Sequence, residues 1–467
     1  MGLKSNSTLQ RVYKAAPARL QTLAVTALGA NIRRKRYSSE FSEYRDIYVN
    51  HQWENSDYWN RYQIRQLDRV LTLARQHTDQ YADLPETDFD SDKPIHRQLS
   101  EIPFLHEDTL RESPRSLVTD ESRVKRAITL STSGTTGTPK QTHHTASSQS
   151  KYWAAIERFW RRGGCVYGDR RASFTGNKIV PTDRERGPYG RIDHTNNRLM
   201  LSSYHLGDQT VDQYLDLIDE FGPKFIDGYP SAIRFCAQRA LDTERDIRIP
   251  ACFPTAEMLR EEDREIIEEG FSTQVYNQYG STESAGLVTE CPNGNMHVNP
   301  EIGIVEVVND EGEPVADDEL GEIVLTGLTN ELMPLIKYRI GDLARGQPTY
   351  DTCNCGWSMP VIEEIIGRQD EVIVTKDGRR VPMLSYNVFK NKTGVEESQI
   401  IQEDYTTIRV KVTPNEQFGS EDKKEIVDSI VTRVGDVDVS VEIVDQIERT
   451  ASGKFRSVVS HIETDGV

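Results

Sequence analysis

Between about residues 127 and 279, short apolar runs alternate with helical patterns, and that alternation leaves the chain few ways to fold. Phe174 sits in one candidate strand, and residues 199–204, 224–226, 249–255 and 274–279 read as others. Between them Val211, Tyr214, Leu215, Ile218 and Phe221 recur at helical spacing, as do Ile233, Ala237 and Leu241. Strand–helix alternation of this kind calls for an α/β class, mostly parallel sheets covered by helices. After Pro300 the pattern changes. Residues 304–308, 322–328 and 334–340 read as strands with no helices between them, hence a β-rich subdomain. From about Glu371 a small α+β unit begins, with a hairpin turn at Asp377-Gly378, strands over 408–412 and 437–444, and a helix over 421–434. The polar stretch 367–370 suits a linker. The expected division is a large domain over 1–368 and a small C-terminal domain over 369–467. The large domain comprises a helical part over 1–125, an α/β core over 126–290 and a β-rich part over 291–368.

Charge narrows the function classes. The 467 residues carry a net charge of −18, which disfavours general nucleic-acid binding. Only 17 of the 56 basic residues are lysine, a composition that suits a high-salt cytoplasm. No run of about 18 apolar residues offers a spanning helix. The weakly apolar stretch 20–30, flanked by Arg19 and by Arg33, Arg34, Lys35 and Arg36, reads as an amphipathic helix. It either packs on the domain or lies on a membrane surface. It lacks the clean apolar core of a signal peptide, so a cytoplasmic location is expected. The acidic segment 83–92 reads as a solvated loop. Six cysteines do not make a disulfide scaffold; Cys165, Cys236 and Cys252 read as ordinary buried cysteines.

Residues 131–140, Ser-Thr-Ser-Gly-Thr-Thr-Gly-Thr-Pro-Lys, hold six hydroxyl residues and two glycines, between an apolar strand at 127–130 and a helical pattern from Ala146. Glycines let backbone approach a phosphate, and free N–H groups with hydroxyls can ring its oxygens. Ser131, Thr132, Ser133, Gly134, Thr135, Thr136 and Gly137 suit that cradle, and Lys140 adds a point charge. The loop is not of the GxxxxGK[ST] type: Pro139 replaces the second glycine, and Gln141 stands where a magnesium-binding hydroxyl belongs. A Ser/Thr/Gly linker is the plainer reading.

Four further segments follow in order: Tyr-Asn-Gln-Tyr-Gly-Ser-Thr-Glu at 276–283, Tyr-Arg-Ile-Gly-Asp at 338–342, Gly-Arg-Gln-Asp at 367–370 and Arg-Thr-Ala-Ser-Gly-Lys at 449–454. With the loop, this set resembles the adenylate-forming superfamily of acyl-CoA synthetases, adenylation domains and luciferases, and within it the phenylacetate–CoA ligase branch. Residues 13–17, Arg36-Tyr37, Gly-Tyr-Pro-Ser at 228–231 and Leu-Thr-Asn at 328–330 resemble the branch's capsular-polysaccharide-biosynthesis-type members.

The resemblance implies an ATP-dependent carboxylate ligase. A carboxylate and ATP give an acyl-adenylate and pyrophosphate, and the acyl group then passes to the thiol of CoA. Two anions meet in the first step, so positive charge is required at the α-phosphate. By family position Lys454 bridges the carboxylate and the α-phosphate, Thr282 donates to that phosphate and Glu283 holds magnesium. The loop and Lys140 grip the β- and γ-phosphates. Tyr279, with Gly280 beside it, stacks on adenine, and Ala256 and Glu257 close the adenine pocket. Asp342 accepts from the ribose hydroxyls. Arg368 contacts ribose or phosphate, and Asp370 is the hinge on which a mobile C-terminal domain swings. His205 orients the substrate carboxylate, with Phe174-Thr175-Gly176 and residues 228–231 lining the same cleft. Taken singly, Lys454 reads as a surface lysine, Tyr279-Gly280 as core and turn, Asp342 as a turn residue and His205 as a structural histidine. An aryl acid is the branch's substrate class. Asp370-Glu371 replaces the two aspartates that many members carry, and the glycine-and-proline pattern after it is loose. A non-CoA acceptor, whether amine, sugar or cofactor, in surface-polysaccharide or cofactor metabolism is the second reading. A degenerate scaffold would have lost Lys454, Glu283 or Asp342, and all three are present.

Cys291, His297, Cys353 and Cys355 flank two turns of the β-rich region. Three thiolates and an imidazole suit tetrahedral structural zinc, although C-x₅-H and C-x-C depart from finger spacing. Free thiols and a disulfide are the other readings.

Overall fold

The computed structural model describes residues 7–131, 140–350, 353–368, 373–376, 380–381, 384–389, 392, 394–450 and 455–462. They form two compact units, one of residues 1–340 with 345–364, the other of 341–344 with 365–467. The division falls inside the strands Tyr338–Arg345 and Glu364–Arg368.

The larger unit is organised by a six-stranded sheet in the order Gly190–Asp193, Arg198–Ser202, Arg171–Thr175, Phe225–Gly228, Ala251–Pro254, Gln274–Val275. Every neighbouring pair is parallel except the first, where Gly190–Asp193 runs antiparallel at the edge. Parallel strands are buried on both faces, as this alternation demands. Ala172, Phe174, Leu199, Leu201, Ile226 and Cys252 point to one face and pack on helices Val211–Phe221, Pro230–Asp242 and Glu261–Gly270. Phe225, Ala251 and Phe253 point to the other and pack on helices Ser39–His51 and Ala146–Trp160. The N-terminal basic helix, Ala18–Arg36, lies against the domain and buries Gln21, Val25 and Gly29. At Gly29 a Cβ would fall 2.1 Å from the Asp193 carboxylate on the edge strand, so the helix is seated where only glycine fits. Among the described residues no helix is long and apolar enough to cross a membrane. Residues 83–92 form the expected irregular, mostly exposed loop.

Three expectations change. The strand Ile128–Ser131 does not lead through the loop into a helix; it pairs antiparallel with Gln141–His144, Ser131 opposite Gln141. Gln-Thr-His-His lacks an apolar alternation, but Thr142 and His144 are buried while Gln141 is exposed, so a polar sequence follows the strand period. Residues 274–279 are two strands in different sheets. Gln274–Val275 closes the parallel sheet, and Gln278–Gly280 is an edge of a four-stranded antiparallel sheet completed by Leu287–Glu290, Met296–Val298 and Val361–Ile362. The strand expected at 334–340 begins only at Tyr338, after Lys337 with φ +51.

The smaller unit has a four-stranded sheet, in the order Asp438–Ile443, Thr407–Pro414, Val395–Gln402, Val458–Ser460. Ile426, Ile430 and Val434 of helix Ser420–Val434 pack on Ile400, Ile408 and Val410. Ile373–Val374 pairs with Arg380–Val381, as a hairpin around Asp377-Gly378 requires; the turn itself lies outside the described residues.

Gly228 ends its strand at φ +127, where a Cβ would sit 1.9 Å from the Phe174 carbonyl oxygen. Gly228→Ala is expected to lower stability by about 3 kcal/mol or more, read as a shift of the urea midpoint at unchanged slope.

Candidate active site

Ligands of open α/β sheets bind beyond the carboxyl ends of the parallel strands. Here those ends carry Gly176, Ser202 to His205, Gly228 to Ser231 and Thr255 to Glu257. The Thr255 N–H donates to the Gly228 carbonyl (2.8 Å), tying two adjacent ends together. Glu257 accepts from the Ser231 N–H (3.2 Å), placing a carboxylate at the positive end of helix Pro230–Asp242. Ala256 is exposed and held at φ +71, a conformation that costs an alanine about 1–3 kcal/mol. Tyr204 Oη donates to the Gly176 carbonyl (2.9 Å) and draws a third end into the same rim.

His205 departs from its expected role. Its Nε2–H donates to the Pro181 carbonyl (3.0 Å), its Nδ1 accepts from Ser202 Oγ (2.7 Å), and the ring stacks on Tyr189. Both nitrogens are engaged by protein, and burial lowers the pKa of the ring, so it builds the wall of the crevice.

The motif at 276–283 crosses from the parallel sheet into the antiparallel one. Tyr279 pairs with Val288 and Gly280 with Leu287, which turns Ser281 to Glu283 out of the strand. Gly280 is exposed, and a Cβ there would meet Tyr152 Oη at 2.7 Å. Thr282 is exposed; Glu283 is 4% exposed.

Lys140 and Glu283, placed by the hairpin and by this motif, come together in one buried cluster. Lys140 Nζ lies 3.0 Å from Glu283 Oε1 and donates to Glu107 Oε1 (2.5 Å) and to Tyr338 Oη (3.0 Å). Tyr338 Oη in turn donates to Glu283 (3.3 Å). Burial pushes the Glu283 carboxyl up, but the charge and hydrogen bond of Lys140 outweigh it, and the net shift is downward. Lys140 was expected as a loop-end charge directed at phosphate. Its ammonium is instead enclosed by protein oxygens, because a carboxylate as deep as Glu283 requires a cation to offset its desolvation. His144, whose Nε2 is hydrogen-bonded to Thr142 Oγ1 (2.9 Å), has a pKa lowered by burial to about 4. Glu107, in the first turn of helix Glu107–Glu112, has no sequence signature, and Tyr338 was legible only as a member of its motif.

Asp342 is buried on Tyr338–Arg345 after Gly341, whose φ of +78 explains the glycine in that motif, and it groups with the smaller unit. Arg368 ends the strand Glu364–Arg368, also in the smaller unit. Thr132, Ser133, Gly134, Thr135, Thr136, Gly137, Asp370 and Lys454 lie outside the described residues.

The cysteine and histidine set does converge. Ligand atoms of Cys291, His297, Cys353 and Cys355 all lie within 4.8 Å of one another. Cys291 and Cys353 sulfurs are 3.6 Å apart, and Cys355 Sγ is 3.5 Å from His297 Nε2. His297 Nδ1–H donates to the Met359 carbonyl (2.9 Å), which aims the Nε2 lone pair at the sulfurs. All six cysteines are free of disulfides, and Cys165, Cys236 and Cys252 are buried.

Comparison with known proteins agrees with this geometry. Residues 201–333 match the AMP-binding enzyme family, and residues 373–461 match the CapK C-terminal domain. Protein CapK of Staphylococcus aureus is 26% identical over 462 residues, spanning 97% of this chain and 100% of its own length. A phenylacetate-coenzyme A ligase of Thermus thermophilus is 27% identical over 287 residues, 60% of this chain and 62% of the ligase. The crystal structure of 2-hydroxyisobutyryl-CoA ligase in the postadenylation state superposes with a TM-score of 0.68 at 20% identity, covering 88% of this chain and 92% of that one; it shares the fold. These matches support the resemblance to the adenylate-forming superfamily, to its phenylacetate–CoA ligase branch and to CapK.

Removing Lys140 leaves Glu283 buried without its cation. Lys140→Met is expected to destabilise by about 3–5 kcal/mol, and the added Glu283→Gln to recover part of that, in a double-mutant cycle followed by urea unfolding.

Proposed function

We propose that this chain is an ATP-dependent, AMP-forming acid ligase that joins a carboxylic acid to AMP with release of pyrophosphate and then passes the acyl group to the thiol of CoA. The observation that carries this is Glu283, a carboxylate almost sealed from solvent yet kept ionised, in the motif that joins the two sheets of the crevice. A hard divalent cation takes carboxylate oxygen, so Glu283 fits magnesium, which supplies charge neutralisation on the phosphates when bound. Tyr279 stacks on adenine beside Ala256 and Glu257, Thr282 donates to the α-phosphate, and residues 131–137 surround the departing phosphates. Asp342 takes the ribose hydroxyls and Arg368 the ribose or phosphate. Lys454 bridges the acid and the α-phosphate, and Asp370 is the hinge of the smaller domain. His205 positions the crevice wall. The relatives named phenylacetate-coenzyme A ligase and the acyl-AMP in the solved 2-hydroxyisobutyryl-CoA ligase support the reaction and the thiol acceptor. The full-length match to CapK favours a second reading, transfer to a non-CoA acceptor in surface-polysaccharide metabolism.

Acid-dependent ATP–pyrophosphate exchange is expected, with a CoA thioester visible by mass when CoA is added. Lys454→Ala is expected to lower exchange by about a thousandfold or more; exchange near the wild-type rate would remove Lys454 from the mechanism. Thioester absent while exchange persists would favour the second reading.

The cysteine cluster fits structural zinc. Its sulfur–sulfur and sulfur–nitrogen separations of 3.6 and 3.5 Å match the edges of a tetrahedron with zinc–ligand bonds of about 2.0–2.3 Å. Asn295 Nδ2 donates to the Cys353 sulfur (3.2 Å) and the Asn293 N–H to that of Cys291 (3.4 Å), bonds that favour thiolates. Four ligands leave no open position, so the role is to hold the two turns together. Metal analysis is expected to give about one zinc per chain; less than about half an equivalent would refute it.

A further inference from the structure

A surface helix ordinarily turns its apolar stripe to the core and its polar side to water. Helix Ala18–Arg36 does the reverse for much of its length. Its buried residues are Gln21, Val25 and Gly29, and polar contacts hold that side to the domain. Gln21 Nε2 donates to the Tyr13 carbonyl (2.9 Å), and Gln21 Oε1 accepts from Arg191 Nε (2.9 Å). Thr26 Oγ1 donates to the Ile192 carbonyl (3.3 Å), Thr195 Oγ1 to the Thr26 carbonyl (3.1 Å), and Asn196 Nδ2 to the Gly29 carbonyl (3.1 Å). Arg36 lies over Trp153, 4.5 Å from the ring centre. The outer side carries Leu20 (55% exposed), Leu23 (63% exposed), Ala27, Ala30 and Arg34, whose spacing of three and four places them in one line along the helix.

Charge adds a second pattern on the same side. Arg19 precedes the leucines, Arg33 and Arg34 follow the alanines, and all three arginines are exposed. Helix Ser7–Ala15, just before, exposes Arg11, Val12 and Lys14, while its Tyr13 is buried and donates to the Ile179 carbonyl (2.5 Å). Among the described residues no ion pair engages Arg11, Lys14, Arg19, Arg33 or Arg34. The first 39 residues hold eight of the 56 basic residues and none of the 74 acidic ones. In a chain of net charge −18, a segment of purely positive charge thus coincides with exposed leucines.

We propose that this outer face docks on an anionic lipid bilayer, with Leu20 and Leu23 entering the boundary between headgroups and acyl chains and Arg19, Arg33 and Arg34 pairing with lipid phosphates. Charge complementarity selects the occupant. A nucleic acid would answer the arginines and leave the leucines in water. A second copy meeting the same face would set arginine against arginine. An anionic bilayer answers both patterns, since a basic amphipathic helix lies in the interface by apolar burial together with attraction to acidic lipids. The helix is already folded and pinned through Gln21, Thr26 and Gly29, so docking carries little of the ordering cost that an unfolded segment would meet. The acidic remainder of the chain is repelled by the same surface, which fixes the orientation of approach. The two readings of this stretch of sequence then hold for one helix, its inner side on the domain and its outer side on lipid. The inference goes beyond the ligase reading and does not depend on it.

The test is flotation of the full-length protein with vesicles of equal parts phosphatidylglycerol and phosphatidylcholine, against vesicles of phosphatidylcholine alone. Partitioning into the anionic vesicles is expected to be stronger by about tenfold or more, and to weaken as salt is raised. Leu20→Gln with Leu23→Gln is expected to lower it by about tenfold, and Arg33→Gln with Arg34→Gln by a similar factor. All four side chains are exposed, so the urea midpoint of each double variant is expected to stay at the wild-type value. If a variant fails to fold, the wild-type comparison of the two vesicles decides. Equal partitioning into both kinds of vesicle, or none into either, would overturn the proposal. So would anionic binding that the leucine pair leaves unchanged, which is adsorption by charge alone. Self-association that the leucine pair removes, with no vesicle binding, would make the face an interface between copies and overturn it as well. Binding of a DNA duplex in preference to vesicles would do the same. Pyrophosphate exchange by the leucine double variant is expected to match the wild type, so failure of vesicle binding leaves the ligase reading standing.

Discussion

Parallel pairing of Arg171–Thr175 with its neighbours on both sides is the constraint on which the larger unit depends. It aligns the carboxyl ends of four strands on one edge, which is where the crevice residues emerge. It also fixes which side chains share a face. One face is wholly apolar and seals three helices to the sheet; the other is apolar only from Phe225 across to Phe253 and turns polar at Arg171, Ser173 and Arg198. A slip of one residue would exchange these two populations, burying arginines among Tyr214, Leu215 and Ile218. The apolar face is thus what holds the charged one in place.

At the site itself the governing balance is between burial and charge. Glu283 is pulled toward neutrality by its surroundings and held ionised by Lys140, with Tyr338 and Glu107 supplying the remaining contacts. Removing any one member leaves the others less well compensated, so these four residues, from four separate stretches of chain, behave as a unit. That interdependence explains why a glutamate in one motif, a tyrosine in another and a lysine at a loop end sit in one cluster although the chain places them far apart.

Much of this was legible beforehand. Short apolar runs located the parallel strands, helical spacing located the helices over Val211–Phe221 and Pro230–Asp242, and the ordered motifs pointed to the family. The convergence of the four cysteine and histidine ligands could be anticipated from their two turns. What could not be read has physical causes. Gln141–His144 is a strand because a hairpin partner and burial impose it, not because its residues prefer it. The break at residues 276–277 leaves no mark, since a two-residue strand and a three-residue strand in different sheets look like one run. Glu107 and Arg36 act through neighbours more than thirty residues away in sequence, and no local pattern encodes that.

The strand that carries Tyr279 stands at the margin of its sheet and has a single neighbour, Leu287–Glu290. That neighbour runs directly into Cys291, and its other side pairs with the strand that carries His297. A short border strand has little stiffness of its own; its position is borrowed from whatever anchors the strand beside it. If Tyr279 meets a nucleotide as proposed, the tolerance with which its ring is offered is then set further into the sheet, by how firmly a knot of sulfur and imidazole holds two turns together.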